Sequence, residues 1–151
     1  MKNKKVRWAL GGLSSSLFTT NWLFYYLTKD LVIEIMVNIS NIFLRNLIIF
    51  SSFYLVTITL TFLNAMILSV TTPPRKEHVT LYIFFSFLTP IAFLIFHLAS
   101  KISFGFPIDF FLKTIPILML IMPVTSILGV LFGTTLKKAS SRESVDEFLD
   151  S

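Results

Sequence analysis

Thr114 to Leu136 reads TIPILMLIMPVTSILGVLFGTTL, twenty-three consecutive residues without an Asp, Glu, Lys or Arg. A hydrocarbon core about 30 Å thick is crossed by about 20 helical residues rising 1.5 Å each, so this stretch alone is long enough to span a bilayer. In lipid the backbone N–H and C=O groups find no water, and a helix satisfies them within the segment. The run Ile117 to Met122 is apolar on every side of a helix. It lacks the alternation over about ten residues that marks a membrane barrel strand.

Three more windows lie outward from it, Trp8 to Thr28, Asn46 to Pro74 and Val79 to Ser100, each equally free of Asp, Glu, Lys and Arg. The expected fold is therefore an all-α membrane protein, an antiparallel four-helix transmembrane bundle with spans at about 6–27, 47–70, 79–99 and 112–136. It forms a single domain over 1–138, followed by a polar cytoplasmic tail at 139–151 that reads equally as a short helix or as disorder. Composition agrees, since 54% of residues are hydrophobic and the 14% that are charged are too few to cover a soluble globule of this size.

The net charge of +5 is placed at the ends of the apolar windows, so it determines topology and is not the footprint of a nucleic-acid-binding surface. Nine cations, Lys2, Lys4, Lys5, Arg7, Arg75, Lys76, Lys137, Lys138 and Arg142, fall on one side of the expected bundle, and four, Lys29, Arg45, Lys101 and Lys113, on the other. Positive residues stay inside, which places both termini and the turn from Thr71 to His78 in the cytoplasm, with the cell membrane as the expected location. A basic Met1 to Arg7 before an apolar stretch also describes a secretory signal peptide. The length of the stretch, and the bulky Trp22 to Leu27 where a peptidase wants small residues, favour a retained span.

Between the first two windows Glu34, Asn38, Asn41 and Arg45 recur at helical spacing opposite Leu31, Ile35, Ile39, Ile42 and Phe43. This predicts an amphipathic helix over about 31–46 on the outer side, lying along the interface or extending the second span, with a bend near Arg45 and Asn46. Inserted more deeply it would be a fifth element, at about 3 kcal/mol for Glu34. Pro73 and Pro74 are expected to end the second helix. The loop Lys101 to Leu112 carries Gly105, Pro107 and Asp109 among four phenylalanines and reads as an interfacial turn.

Two kinds of polar or small residue break the apolar windows. Gly11, Ser15 and Thr19 fall four apart, with Gly12 and Ser16 alongside, and the fourth window repeats the device with Thr125, Gly129 and Gly133. Small residues at that spacing let helix backbones approach, so these six are helix-packing candidates, and Gly129 with Gly133 could alternatively form a dimer face. The third window places Tyr82, Ser86, Thr89 or Pro90, Phe93 and His97 on one stripe, and the second carries Thr57, Thr61 and Asn64 on one face. Asn64, Ser86, Thr89 and His97 are the polar-seam candidates. Asn64 reads first as an interhelical hydrogen-bonding group, while a polar seam beside the Pro90 kink is also where transporters bind substrate.

Several chemistries have no residues to carry them. The chain has no cysteine, and no Asp or Glu falls within the windows, which disfavours a proton-coupled carrier. His78 and His97 are nineteen residues apart on one expected helix, about 28 Å, too far to share an ion. No catalytic, cofactor or metal residues are assigned, and an enzyme is not expected.

Arg7-Trp8-Ala9-Leu10-Gly11-Gly12 and Asn41-Ile42-Phe43-Leu44-Arg45-Asn46 resemble segments of the GtrA-like four-span flippases, which start with Arg-Phe and a glycine and carry an Asn-Arg segment. The likeness covers under a fifth of the chain, reverses the Asn-Arg order and precedes an apolar span where that family has a loop, so no membership follows from it. Two functions are expected from the residues. One is a small accessory or assembly subunit that binds other membrane proteins through helix packing. The other is a small oligomeric transporter, flippase or channel for a small solute or lipid-linked substrate, for which Pro90, Pro116, Pro123 and the polar stripe speak. The bilayer is the expected medium of both, with a membrane-protein partner or a homo-oligomer and no nucleic acid.

Overall fold

The computed structural model of the chain describes residues 2–14, 37–100 and 108–149, with Asp30 and Glu34. Among its described residues every element is helical: α1 (Lys2–Leu13), α2 (Ile42–Thr71), α3 (Lys76–Ser100) and α4 (Ile108–Leu149). Three helices contain stretches long and apolar enough to cross a membrane, Ile42–Thr71, Lys76–Phe96 and Leu112–Ser141. They correspond to the second, third and fourth expected spans. The first expected span coincides with α1 only to Leu13. Residues 15–29, which hold its remainder, lie outside the described residues, as do 101–107 of the outer loop and most of 31–36.

Helix boundaries follow local chemistry. Asn41 precedes an apolar run, adopts an extended conformation, and its side-chain oxygen accepts from the backbone N–H groups of Phe43 (3.0 Å) and Leu44 (3.2 Å). An asparagine in that place satisfies two of the donors that every helix start leaves without partners. The break before the second span thus falls at residues 39–41, four residues ahead of the expected bend, and Arg45 and Asn46 lie within α2, at the end of its first turn and the start of its second. At the other end Thr72 is extended, with φ −126° and ψ 111°, as the residue before a proline prefers, and Pro73-Pro74 stop the helix as expected. Pro90, Pro116 and Pro123 sit inside helices. α4 runs on to Leu149, so the expected tail is helical over most of its length.

Consecutive long helices run antiparallel, but the intimate pairs are helices one apart in sequence. α2 packs on α4 and α1 on α3, with α3 against α4 joining the two pairs and α1 barely touching α2. Phe62 lies against Gly129, Met66 against Gly133 and Val70 against Lys137, an advancing register that makes α2 and α4 parallel. Trp8 beside His78 and Gly12 beside Phe85 make α1 and α3 parallel as well. The four-residue turn from Thr72 to Arg75 therefore joins helices that stand diagonally across the assembly.

The core has two parts. Ile49, Phe53, Phe93, Leu118 and Met122 form one cluster, from α2, α3 and α4. Trp8, Ala65, Tyr82 and Val130 form the other, nearer the basic residues and with α1 included. On α2 the buried positions recur at every fourth residue, Ile49, Phe53, Thr57, Thr61, Ala65 and Ser69. A row of every fourth residue drifts about 40° per step around a helix of 3.6 residues per turn, so the buried line winds from one neighbour to the next. Rows of this kind are the ridges used when membrane helices cross right-handedly over small residues.

Candidate functional site

The polar side chains of the interior collect where α1 ends. A helix leaves its last four carbonyls without partners, and α1 stops at Leu13, with Ser14 N–H donating to Leu10 O at 2.7 Å. The next two carbonyls are bonded by other helices. Asn64 Nδ2 on α2 donates to Gly11 O at 3.0 Å, and the Thr89 hydroxyl on α3 lies 2.8 Å from Gly12 O and 2.7 Å from Phe85 O, so its single proton serves both. Two helices thereby cap a third. Hydrogen bonds of this kind between membrane helices are worth about 0.6 to 2 kcal/mol each.

Beside this cap, Ser126 Oγ on α4 bonds Met122 O at 2.7 Å and lies 3.2 Å from Ser86 Oγ on α3. The Tyr82 hydroxyl stands among Asn64, Ser86 and Ser126, fully buried, without a hydrogen bond of good geometry to any of them. The junction thus draws polar groups from four helices. Asn64 is seven residues from the end of α2 and Ser86 ten residues from the start of α3, which sets the junction about 10 to 15 Å in from the basic end.

Small residues make the close approach possible. A side chain at Gly12 would meet Tyr82 O at 2.7 Å and Phe85 Cβ at 2.8 Å, and one at Gly11 would meet Leu68 Cδ2 at 2.8 Å. At Gly129 it would meet Phe62 O at 2.6 Å, and at Gly133 it would meet Met66 O at 2.6 Å and collide with Ser69 Oγ. Backbone oxygens cannot swing aside as a flexible side chain can, so Gly12, Gly129 and Gly133 take only glycine without displacement of a helix, whereas at Gly11 the Leu68 side chain could give way. Gly129 and Gly133 face α2 of the same chain, which occupies the surface that the dimer reading required.

The other sequence candidates fall as follows. Thr125 is buried and its hydroxyl bonds Ile121 O at 2.8 Å within its own helix. Asn64, Ser86 and Thr89 meet at the junction. His97 belongs to α3, but its side chain lies outside the described residues, as do Ser15 and Thr19 entirely. Sequence reasoning passed over Ser126, whose signal was a hydroxyl adjacent to Thr125 in the middle of the fourth window. It also treated Tyr82 as a stripe residue only, and did not foresee Trp8, fully buried, with its ring 6.3 Å from that of His78 and 5.8 Å from that of Tyr82.

Chemically the junction offers neutral donors and acceptors, two hydroxyls of serine, one of threonine, a phenol and an amide. Among the described residues no three His, Asp or Glu side chains stand together to hold a metal ion. The arrangement can orient backbone carbonyls and bind neutral or weakly polar groups, and among the described residues the recorded partners of its serines are a hydroxyl and a backbone carbonyl. Comparison with family models, with curated proteins and with solved structures finds no match to this chain, so the reading of the site rests on its own residues.

Proposed function

We propose that this chain is a small multi-pass subunit of the cell membrane that assembles with other membrane proteins through its helices, threading the bilayer four times with both termini in the cytoplasm. The observation that carries this reading is the use to which the interior polar groups are put. Asn64, Thr89, Ser86 and Ser126 bond helix to helix or hold the end of α1, and the windows that cross the bilayer carry no Asp, Glu, Lys or Arg for ion or proton transfer. Meanwhile the outward faces of α2, α3 and α4 are lined by Leu55, Ile67, Phe84, Phe87, Leu120 and Leu128, and a notch between α3 and α4 is formed by Thr80, Ile83, Phe84, Phe87 and Pro123. Such a surface suits lipid and partner helices alike.

A second reading, a small transporter or flippase acting as an oligomer, is favoured by one feature. α1 ends inside the assembly beside an unbonded phenol, and interrupted helices with freed carbonyls line substrate and ion sites in transporters. Purification in mild detergent separates the two readings. A stoichiometric membrane-protein partner supports the subunit, whereas a discrete homo-oligomer that conducts flux in liposomes supports the transporter. Flux unaltered by Asn64→Leu and by Ser86→Ala would remove the junction from any transport path. Tags on the two termini reporting from opposite faces would overturn the four-span threading.

A further inference from the structure

Three threonines follow one another at alternate positions of α2, and they do not serve alike. Thr57 and Thr61 are buried, and their hydroxyls bond Phe53 O (2.9 Å) and Thr57 O (2.8 Å) within the helix. Thr59 lies between them on the outward face, with Leu55 and Leu63. It is exposed, and its hydroxyl has no hydrogen-bond partner among the described residues. α2 is long and apolar enough to cross a membrane, and there this donor faces hydrocarbon, which offers it nothing to bond.

An acceptor deprived of its donor stands on another outward face. Pro123 has no N–H, so the carbonyl of Met119, four residues before it in α4, loses its helical bond, and the proline ring crowds that oxygen. Met119 is one turn from Pro123 on the same side of α4 and is only half-buried. Pro123 is the α4 wall of a notch of about 330 Å³ whose α3 wall is Thr80, Ile83, Phe84 and Phe87, so the freed oxygen adjoins that notch. Thr80, the one hydroxyl of the lining, already donates to Lys76 O at 2.9 Å, and nothing else in the lining carries a donor.

The donor and the acceptor sit at matching depth. Copies of one chain thread a membrane in the same direction, so only surfaces at equal distance from the basic end can meet. Thr59 is twelve residues before the end of α2 at Thr71, about 18 Å in. Ile83 to Phe87 are seven to eleven residues after Lys76, about 10 to 16 Å in, and Pro123 is fourteen residues before Lys137, about 21 Å in. Thr59 falls between these levels, and the Met119 oxygen is within about one helical turn of it.

We propose that the chain assembles with a second copy of itself by seating the Leu55, Thr59 and Leu63 face of α2 in the α3 and α4 notch of its neighbour, with the Thr59 hydroxyl donating to the carbonyl that Pro123 frees. Lipid tails have neither donor nor acceptor and leave both groups unbonded. The two surfaces belong to different helices, so the contact is head to tail and every copy offers both halves of it. The proposal rests on α2, α3 and α4 being embedded in the membrane, and holds for either reading of the function.

The test places full-length chains labelled with donor or acceptor fluorophores in phosphatidylcholine vesicles and follows energy transfer against the protein-to-lipid ratio. Wild type is expected to associate. Thr59→Val, at an exposed position, and Pro123→Ala, which returns the missing N–H to Met119 O, are each expected to weaken association about threefold to thirtyfold, the worth of one interhelical hydrogen bond. The two changes in one chain are expected to cost no more than the larger alone. Thr59→Val chains mixed with Pro123→Ala chains pair an intact notch with an intact threonine, and are expected to associate better than either variant by itself. Leu128→Val, exposed on another face of α4, is expected to change association less than about twofold. A wild-type chain that floats with the vesicles yet stays monomeric at every ratio would overturn the proposal and leave the notch to lipid or another protein. Failure to float would overturn the embedding on which it rests. Losses that add in the double variant, or no recovery on mixing, would overturn the contact between Thr59 and the Met119 carbonyl.

Discussion

The two ends of the helix assembly solve the same packing problem in opposite ways. At the basic end four helices meet over Gly11, Gly12, Ala65, Ser69, Gly129 and Gly133, and backbones approach until added side chains would strike carbonyl oxygens. At the other end Ile49, Phe53, Phe93, Leu118 and Met122, from α2, α3 and α4, form the interior among the described residues. Both α2 and α4 carry this gradient, large residues first and small residues last. The lesson is that the size of the residues along one buried row reports how closely the neighbouring backbones approach it. Hydrophobic transfer does not distinguish the two ends in a membrane, since lipid tails are as apolar as leucine, so van der Waals contact has to hold each.

The largest effect expected from breaking this contrast is at the bulky end. Phe53→Ala removes the fully buried ring at the centre of that cluster and is expected to cost about 3 to 5 kcal/mol in unfolding from detergent micelles. A loss below about 1 kcal/mol would mean that lipid or a neighbouring side chain fills the space. Next comes the close-packed end, where Gly133→Ala is expected to cost about 1 to 3 kcal/mol. Adding Ser69→Ala should not restore it, because Met66 O lies 2.6 Å from the new carbon whatever Ser69 becomes. Leu118→Met at the opposite end changes shape but not volume and is expected to cost less than about 1.5 kcal/mol, measured in the same way.

A smaller effect belongs to the junction between the ends. Asn64→Leu leaves Gly11 O without its partner and is expected to lower stability by about 1 to 2 kcal/mol, and Thr89→Val by less, because α1 must find another way to end. Amide exchange at Ser14 and Leu13 should rise in both variants, and unaltered protection there would show that these bonds do not hold the end of α1. Least of all, Thr57→Val is expected to shift the unfolding midpoint by an amount equivalent to under about 0.5 kcal/mol. Its buried hydroxyl bonds Phe53 O within its own helix, and that carbonyl already accepts from the backbone.

Much of this was legible beforehand, and for identifiable reasons. The second, third and fourth spans follow from length without charge, and Pro73-Pro74 end α2 because a proline restricts the residue before it. The stripe Tyr82, Ser86, Thr89 and Phe93 is buried together as its spacing implied. What was misplaced depended on a single side chain acting locally: Asn41 was counted on a polar helix face, yet it caps α2 and moves the break to residues 39–41. Ser126 escaped notice because a hydroxyl in a membrane helix usually bonds its own backbone, and only the arrival of Ser86 gives it a second neighbour.

The amino-acid sequence by itself determined the medium and the elements, because the absence of charge over twenty or more residues and the positions of prolines act within one segment and need no partner. Tertiary structure alone decided the partners. That the Gly129 and Gly133 row faces α2 of the same chain, that α1 pairs with α3, and that Asn64 and Thr89 close the end of α1 are matters of distance between segments far apart in the chain. Small and polar residues carry the same meaning on any face until a neighbouring helix arrives to give them something to touch.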